Sequence, residues 1–251
     1  MVHPVLFLKG NNYLLESLFY LNHVKNFEKV LKELEITLKN PKIPDDDNSS
    51  ALSFLYLSTN RLNLLFMKGE FSNGLMLVDK IQKNIKKYKS RIDGHHIMVL
   101  YYKIACLYFG DGKYLKCIEF LQKIIKNKSL EMREDLLCFS RILNLVAHYE
   151  AGLDFHLDQL YRSTYKFLVK MDDLHEVQKE MIKFLRKLPN ISPVDLQDQF
   201  KELRNSLKKY EKHPYERRTF LYLDINSWLE SKIENKPVAE IISAKLKLVN
   251  R

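Results

Sequence analysis

The sequence predicts an all-α protein of antiparallel helical hairpins, and three observations carry that expectation. Every periodic stretch repeats its apolar residues at steps of three and four, the spacing that aligns side chains on one face of a helix. No stretch shows the period-two alternation, bounded by Asn-Gly or Asp-Gly turns, that marks β-hairpins. Backbone breakers are scarce: seven glycines and seven prolines in 251 residues, with 46% apolar side chains, exclude disorder and a loop-rich β chain.

In chain order, Val5 to Leu21 reads as a helix with Leu14, Leu18 and Leu21 on one face and Pro4 in a first-turn position. It begins almost at Met1, so further repeats are expected upstream in a longer protein. Lys25-Asn26-Phe27 turns the chain into a second helix carrying Phe27, Val30, Leu31, Leu34 and Leu38, stopped by Asn40-Pro41. After Pro44, the run Asp45-Asp46-Asp47-Asn48-Ser49 suits the cap and first turn of the next helix. The second hairpin places Leu55, Leu62 and Leu65 before the turn Lys68-Gly69-Glu70-Phe71, and Leu75, Val78 and Ile81 after it.

Met98 to Ile125 is the clearest pair. Tyr101, Ile104, Ala105 and Tyr108 form one stripe, and Tyr114, Cys117, Leu121 and Ile124 form the next. Between them Gly110-Asp111-Gly112 tolerates the positive φ that a sharp stop and restart requires. Ser129 is the expected cap of a helix through Glu131, Glu134, Asp135, Ile142, Leu143, Val146 and Ala147. The fourth turn, Gly152-Leu153-Asp154-Phe155, leads to Leu157, Leu160, Tyr161, Thr164 and Leu168 facing inward. Beyond residue 173, Val177, Met181, Phe184, Leu185 and Leu188 precede Pro189. Ser192-Pro193-Val194-Asp195 opens a helix with Leu196, Phe200, Leu203, Leu207 and Tyr210. His213-Pro214 breaks it, Tyr215 to Ile233 forms an apolar helix with Trp228, and Pro237 opens a last one with Ile241, Ile242 and Leu246. The expectation is six hairpins.

The order large, large, small, large, then Gly, aromatic, small, large, large around Ala105, Gly112 and Tyr114 resembles the tetratricopeptide-repeat superfamily. Gly69 and Phe71 repeat it in the second hairpin. The resemblance implies a right-handed α-α superhelix in which each hairpin buries its neighbour's apolar face. It covers 1–173, with 174–251 as divergent hairpins capping the same solenoid. Two departures stand out. Leu62 occupies a position where the family prefers a small residue, which predicts wider helix separation there. The turn aromatics Phe27, Phe71, Tyr114 and Phe155 recur more widely than the family's period of about 34 residues.

Net charge is +10, from 41 basic and 31 acidic residues. That suits an acidic partner, a nucleic acid or an anionic surface. The lysines, however, interleave with Glu and Asp along the polar faces of nearly every helix, and ordinary solvated surface is the preferred reading. The densest basic run holds Lys83, Lys86, Lys87, Lys89 and Arg91, at a helix end where cations also complement the dipole. Three cysteines without a CxxC pair fit reduced core thiols in a cytoplasmic protein. The first residues show no basic segment followed by an apolar core and a small-residue cleavage site, so no signal peptide is expected, and no uncharged apolar run of 18 residues occurs to span a bilayer.

Catalytic signatures are missing. No Gly-rich phosphate loop, nucleophile elbow or HExxH occurs, His95-His96 lies at a helix start, and Cys106 has no histidine anchored beside it. We therefore expect no enzyme, no cofactor and no metal. What the resemblance implies is a concave groove lined by the first helix of each hairpin. Carried onto this chain, it gives Asn60 and Asn63, with Tyr56, Thr59 and Phe66, in the second hairpin. The third gives Tyr102, Lys103 and Phe109, with Val99 and Cys106, and the fourth gives Arg141, Asn144 and His148, with Ala151. Amide and cationic donors beside aromatic rings suit a peptide backbone, a carboxylate and apolar side chains. The same residues serve equally as ordinary semi-exposed helix positions. The expected function is an adaptor that binds a peptide or protein segment, with a basic nucleic-acid binder as the alternative; no membrane insertion is expected.

Overall fold

The computed structural model describes residues 4–39, 46–127, 134–153, 155, 157–170, 175–192, 194–213, 216 and 224–249. Expectations at Asn40-Pro41, Pro44, Asp45, Ser129, Glu131, Asp154, Pro193, Pro214 and Tyr215 lie outside the described residues. All regular structure among the described residues is helical. The helices are α1 (Pro4–Tyr20), α2 (Val24–Leu38), α3 (Asp47–Lys68), α4 (Phe71–Leu75), α5 (Val78–Lys87), α6 (Gly94–Gly110) and α7 (Tyr114–Ile125). They continue with α8 (Glu134–Glu150), α9 (Leu157–Leu168), α10 (Glu176–Lys187), α11 (Leu196–Lys208), α12 (Ile225–Glu234) and α13 (Val238–Val249). A short 3₁₀ turn, Leu188–Asn190, carries the end of α10 past Pro189.

Local chemistry explains most boundaries. Asp46 caps α3, its carboxylate accepting from the backbone N–H of Asn48 and Ser49. Asp93 does the same for α6 through His96, and Asp224 for α12 through Ser227. At the other ends the hairpins share one stop signal. Asn22, Gly69, Gly112, Gly152 and Asn235 all hold positive φ. The residue after each donates its N–H to a carbonyl five positions back: His23 to Leu18, Glu70 to Leu65, Lys113 to Tyr108, Leu153 to His148 and Lys236 to Ser231. This is a Schellman stop, recurring in five of the six hairpins. The expected second helix of hairpin two is split at Met76-Leu77 into α4 and α5.

Each second helix packs on its own first helix and on the first helix of the next hairpin: α2 on α1 and α3, α4 on α3 and α6, α7 on α6 and α8, α9 on α8 and α10. The first helices α1, α3, α6, α8 and α10 are consecutive neighbours. At the centre lies α6, with Leu100, Ile104, Ala105, Leu107 and Phe109 buried. Hairpin one has its own core of Leu8, Leu15, Phe19, Phe27, Leu31 and Leu34 against Met67 of α3.

Four expectations are corrected. The turn expected at Lys25-Asn26-Phe27 lies inside α2, and the chain turns earlier, at Leu21-Asn22-His23, where Asn22 takes the positive φ. The buried stripe of α1 is Leu8, Leu15 and Phe19, while Leu14 and Leu21 are exposed. Both stripes are apolar; of the expected one, only Leu18 packs, partly buried, against the core of hairpin one. Phe155, expected to match Phe71 and Tyr114, is 95% exposed. The helix expected to open at Pro193 begins later, α11 starting at Leu196; of the helix expected from Tyr215 to Ile233, residues 225–233 are described as helix and 217–223 lie outside the described residues.

The last hairpin does more than cover an end. Trp228 of α12 is buried against Phe200 of α11, rings nearly perpendicular at 5.7 Å. From there α13 returns to α3. The Ala239 carbonyl and Ile242 press against Gly69, where an added Cβ would stand 2.8 Å from that oxygen. Hairpin six therefore touches hairpin two directly, and the stack is closed on itself.

Candidate functional site

Closure changes what the first helices present. Of the eight residues expected on an open wall, Asn60, Asn63, Tyr102, Lys103, Phe109 and Asn144 are buried, and Arg141 and His148 are half-buried. On the α12 side, Ile225 joins Tyr102, Phe139, Gln178 and Met181 around a space of only about 20 Å³. This part of the wall is filled by α10 and α12.

Half of the eight point away from the wall altogether. Phe109 meets Tyr114 of α7 edge-on at 5.4 Å. Asn144 accepts from Gln122 Nε2 of α7 at 3.4 Å, and His148 Nδ1 lies 2.7 Å from the Asn144 carbonyl. Arg141 lays its guanidinium 4.2 Å from the Phe167 ring of α9. Burial lowers the Arg141 pKa, opposed by Cys138. Phe109 thus belongs to the packing of α6 on α7, Arg141 and Asn144 to that of α8 against α9 and α7, and His148 to a contact within α8.

The remaining four converge. Asn60, Asn63, Tyr102 and Lys103, with Tyr56, Thr59 and Val99, line a cavity of about 280 Å³ shared by α1, α3, α6 and α8. Its polar contacts are ordered. Asn60 Nδ2 donates to Asn12 Oδ1 of α1 and to the Tyr56 carbonyl, each at 2.9 Å. Lys103 Nζ donates to Asn63 Oδ1 at 2.6 Å and sits 5.7 Å from the ring centres of Phe19 and Phe66. With only 1% of its surface exposed, Lys103 is pushed down to about 7 by burial, against the upward pull of Cys106 and Glu16.

Sequence reasoning missed the α1 and α8 contributions: Asn12, Glu16 and Phe19 on one side, Asp135 and Phe139 on the other. Asn12, Glu16 and Phe19 stand at helical spacing on α1, which was the available signal.

The thiols are poor nucleophiles. Burial pushes Cys106 and Cys138 up to about 12 and raises Cys117 well above its ordinary value. Among the described residues no group of three His, Cys, Asp or Glu could hold a metal, and no helix is long and apolar enough to cross a membrane. The basic run Lys83, Lys86, Lys87, Lys89 and Arg91 is exposed at the end of α5 and in the turn after it.

Compared with known protein families, curated proteins and solved structures, the chain matches none of them. The resemblance to tetratricopeptide repeats therefore rests on the residues of this chain.

Proposed function

We propose that the protein is a non-enzymatic, cytoplasmic adaptor. Its hairpins form a right-handed, tetratricopeptide-like superhelix that binds a peptide or protein segment. The observation that carries the reading is the convergence of Asn60, Asn63, Tyr102 and Lys103 on one cavity. With the rest of the wall covered, the bound segment is short. Its end or one anchoring side chain enters between α1, α3, α6 and α8, and the remainder lies across the mouth. Asn carboxamides, the Lys103 amine and the aromatic ring of Tyr102 supply hydrogen bonds and apolar surface within one space.

The test is affinity capture from native lysate, with nuclease present, by the parent chain and by Thr59→Arg. Thr59 is half-buried at the cavity, so arginine fills the space without replacing a core side chain. The reading requires a protein partner that the parent retains and the variant loses. A partner held equally by both would place the working surface elsewhere.

A second reading, a nucleic-acid binder, is favoured by the exposure of all five basic residues from Lys83 to Arg91. There the captured material is lost on nuclease treatment.

A further inference from the structure

A second opening, of about 420 Å³, lies between α8, α9 and α10. It is independent of the cavity described above. Buried Leu145, Leu185 and Leu188 form its floor. Tyr149, Tyr161 and Tyr165 line it, the last two stacked with ring centres 6.0 Å apart and planes 20° from parallel. Arg162 and Arg186 are both exposed at its edge.

We propose that this cleft binds a nucleotide, the base stacked on the Tyr161 and Tyr165 face and the phosphate held by Arg162 and Arg186. The lining pairs flat π-surface with two guanidiniums, and each half answers one part of such a ligand. Bases stack on aromatic rings whatever their identity, and guanidinium forks match phosphate oxygens in pairs. Tyrosine hydroxyls and the Asn190 carboxamide stand ready for the base edge or the sugar. The volume favours a two-ring base with its sugar over a single phosphorylated phenyl ring.

One interaction opposes the ligand and sharpens the test. Arg162 Nη2 donates to Asp158 Oδ2 at 2.9 Å, and both side chains are largely exposed. An exposed pair of this kind is weak, so a phosphate can replace the carboxylate. Asp158 orients the guanidinium but also repels the anion.

The experiment is calorimetric titration of the full chain with adenosine 5′-monophosphate, adenosine, inorganic phosphate and phenyl phosphate. The monophosphate is expected to bind more tightly than the other three. Arg186→Ala and Tyr161→Ala should each weaken it about tenfold, and Asp158→Ala should strengthen it. Arg186 is exposed, so its variant keeps the test valid if Tyr161→Ala fails to fold. A 5′-phosphorylated RNA hexamer added in competition separates the sources. Displacement assigns the end of an RNA chain, and no displacement assigns the free nucleotide. Equal binding of inorganic phosphate would reduce the site to a cation pair, equal binding of phenyl phosphate would assign it to a phosphotyrosyl group, and no heat with the monophosphate at millimolar concentration would end the proposal.

Discussion

Trp228 donates its indole N–H to Glu150 Oε1 at 2.6 Å, joining α12 to the last residue of α8 across 78 positions of sequence. The other carboxylate oxygen receives Lys232 Nζ at 2.8 Å, and the Glu150 side chain is 6% exposed. Tyr114 of α7 adds to the cluster: burial first, and then the Glu150 charge and its hydrogen bond, raise the phenol to about 12. Three helices thus meet at one carboxylate. Glu150→Ala is expected to cost about 1–3 kcal/mol, because it strands a buried indole N–H. Trp228 is the sole tryptophan, so its emission reads the loss directly. A red shift at low urea, before global unfolding, is the expected signal; unchanged emission and midpoint would mean that the contact does not hold α12.

Closure of α13 on α3 has a comparably simple readout. Gly69 and Gly112 have φ of 69° and 72°, so alanine at either incurs the same backbone strain, about 1–2 kcal/mol. They differ in surroundings. Around Gly112 nothing lies within 4 Å of an added Cβ, whereas at Gly69 the Ala239 carbonyl is 2.8 Å away. Gly69→Ala should therefore melt well below Gly112→Ala, and removal of residues 238–251 should bring the two variants level. Equal melting temperatures in the full chain would place α13 away from α3.

Ala105 is fully buried at the centre of α6. Ala105→Leu is expected to overpack the core and lower stability by about 1–3 kcal/mol in urea denaturation. A variant as stable as the parent would show that the helices do not close tightly there.

The basic run offers a test by salt. If Lys86 and Lys87 neutralise phosphates, affinity for RNA falls linearly on a log-log plot against salt. Lys86→Glu with Lys87→Glu should weaken every sequence alike and flatten that slope. An affinity that ignores salt would leave the run as solvated surface.

What was legible in the sequence was local. Gly69, Gly112 and Gly152 marked three stops correctly, because each supplies a positive φ that few residues adopt. Asn22 and Asn235 make the same stop and were missed, since asparagine is common in loops of every kind. The stripes of α6 and α7 were readable because both flanks of that hairpin are occupied. On α1, two apolar stripes competed, and periodicity cannot say which one meets a neighbour. How much of the expected wall other helices cover was not legible, for a longer-range reason. Residues such as Tyr102 become core only when α10 and α12 arrive, and nothing near Tyr102 in the chain records where Ile225 will fold. Asn60, Asn63 and Lys103 were found on the right helices, but their burial follows from α1 lying across them.

Lys103 also predicts a pH dependence of stability. In the unfolded chain it titrates near its ordinary 10.5, and in the fold at about 7. Between those values the unfolded chain holds the extra proton, so stability rises with pH, by up to about 1.4 kcal/mol per unit. Below about pH 7 both states carry the proton and the cost of the buried charge is felt in full. Above about 10.5 neither state carries it, and the gain is complete. Lys103→Met keeps an unbranched chain between Phe19 and Phe66 but removes the titration. The variant should therefore exceed the parent most at pH 6.5, and its advantage should shrink steadily toward about pH 9. Cys106, beside the amine, titrates at about 12, beyond this window. Urea denaturation of the pair at a series of pH values is the measurement. Parallel curves would mean that the amine keeps its proton in the fold, held as a charge at the cavity rather than poised to lose it.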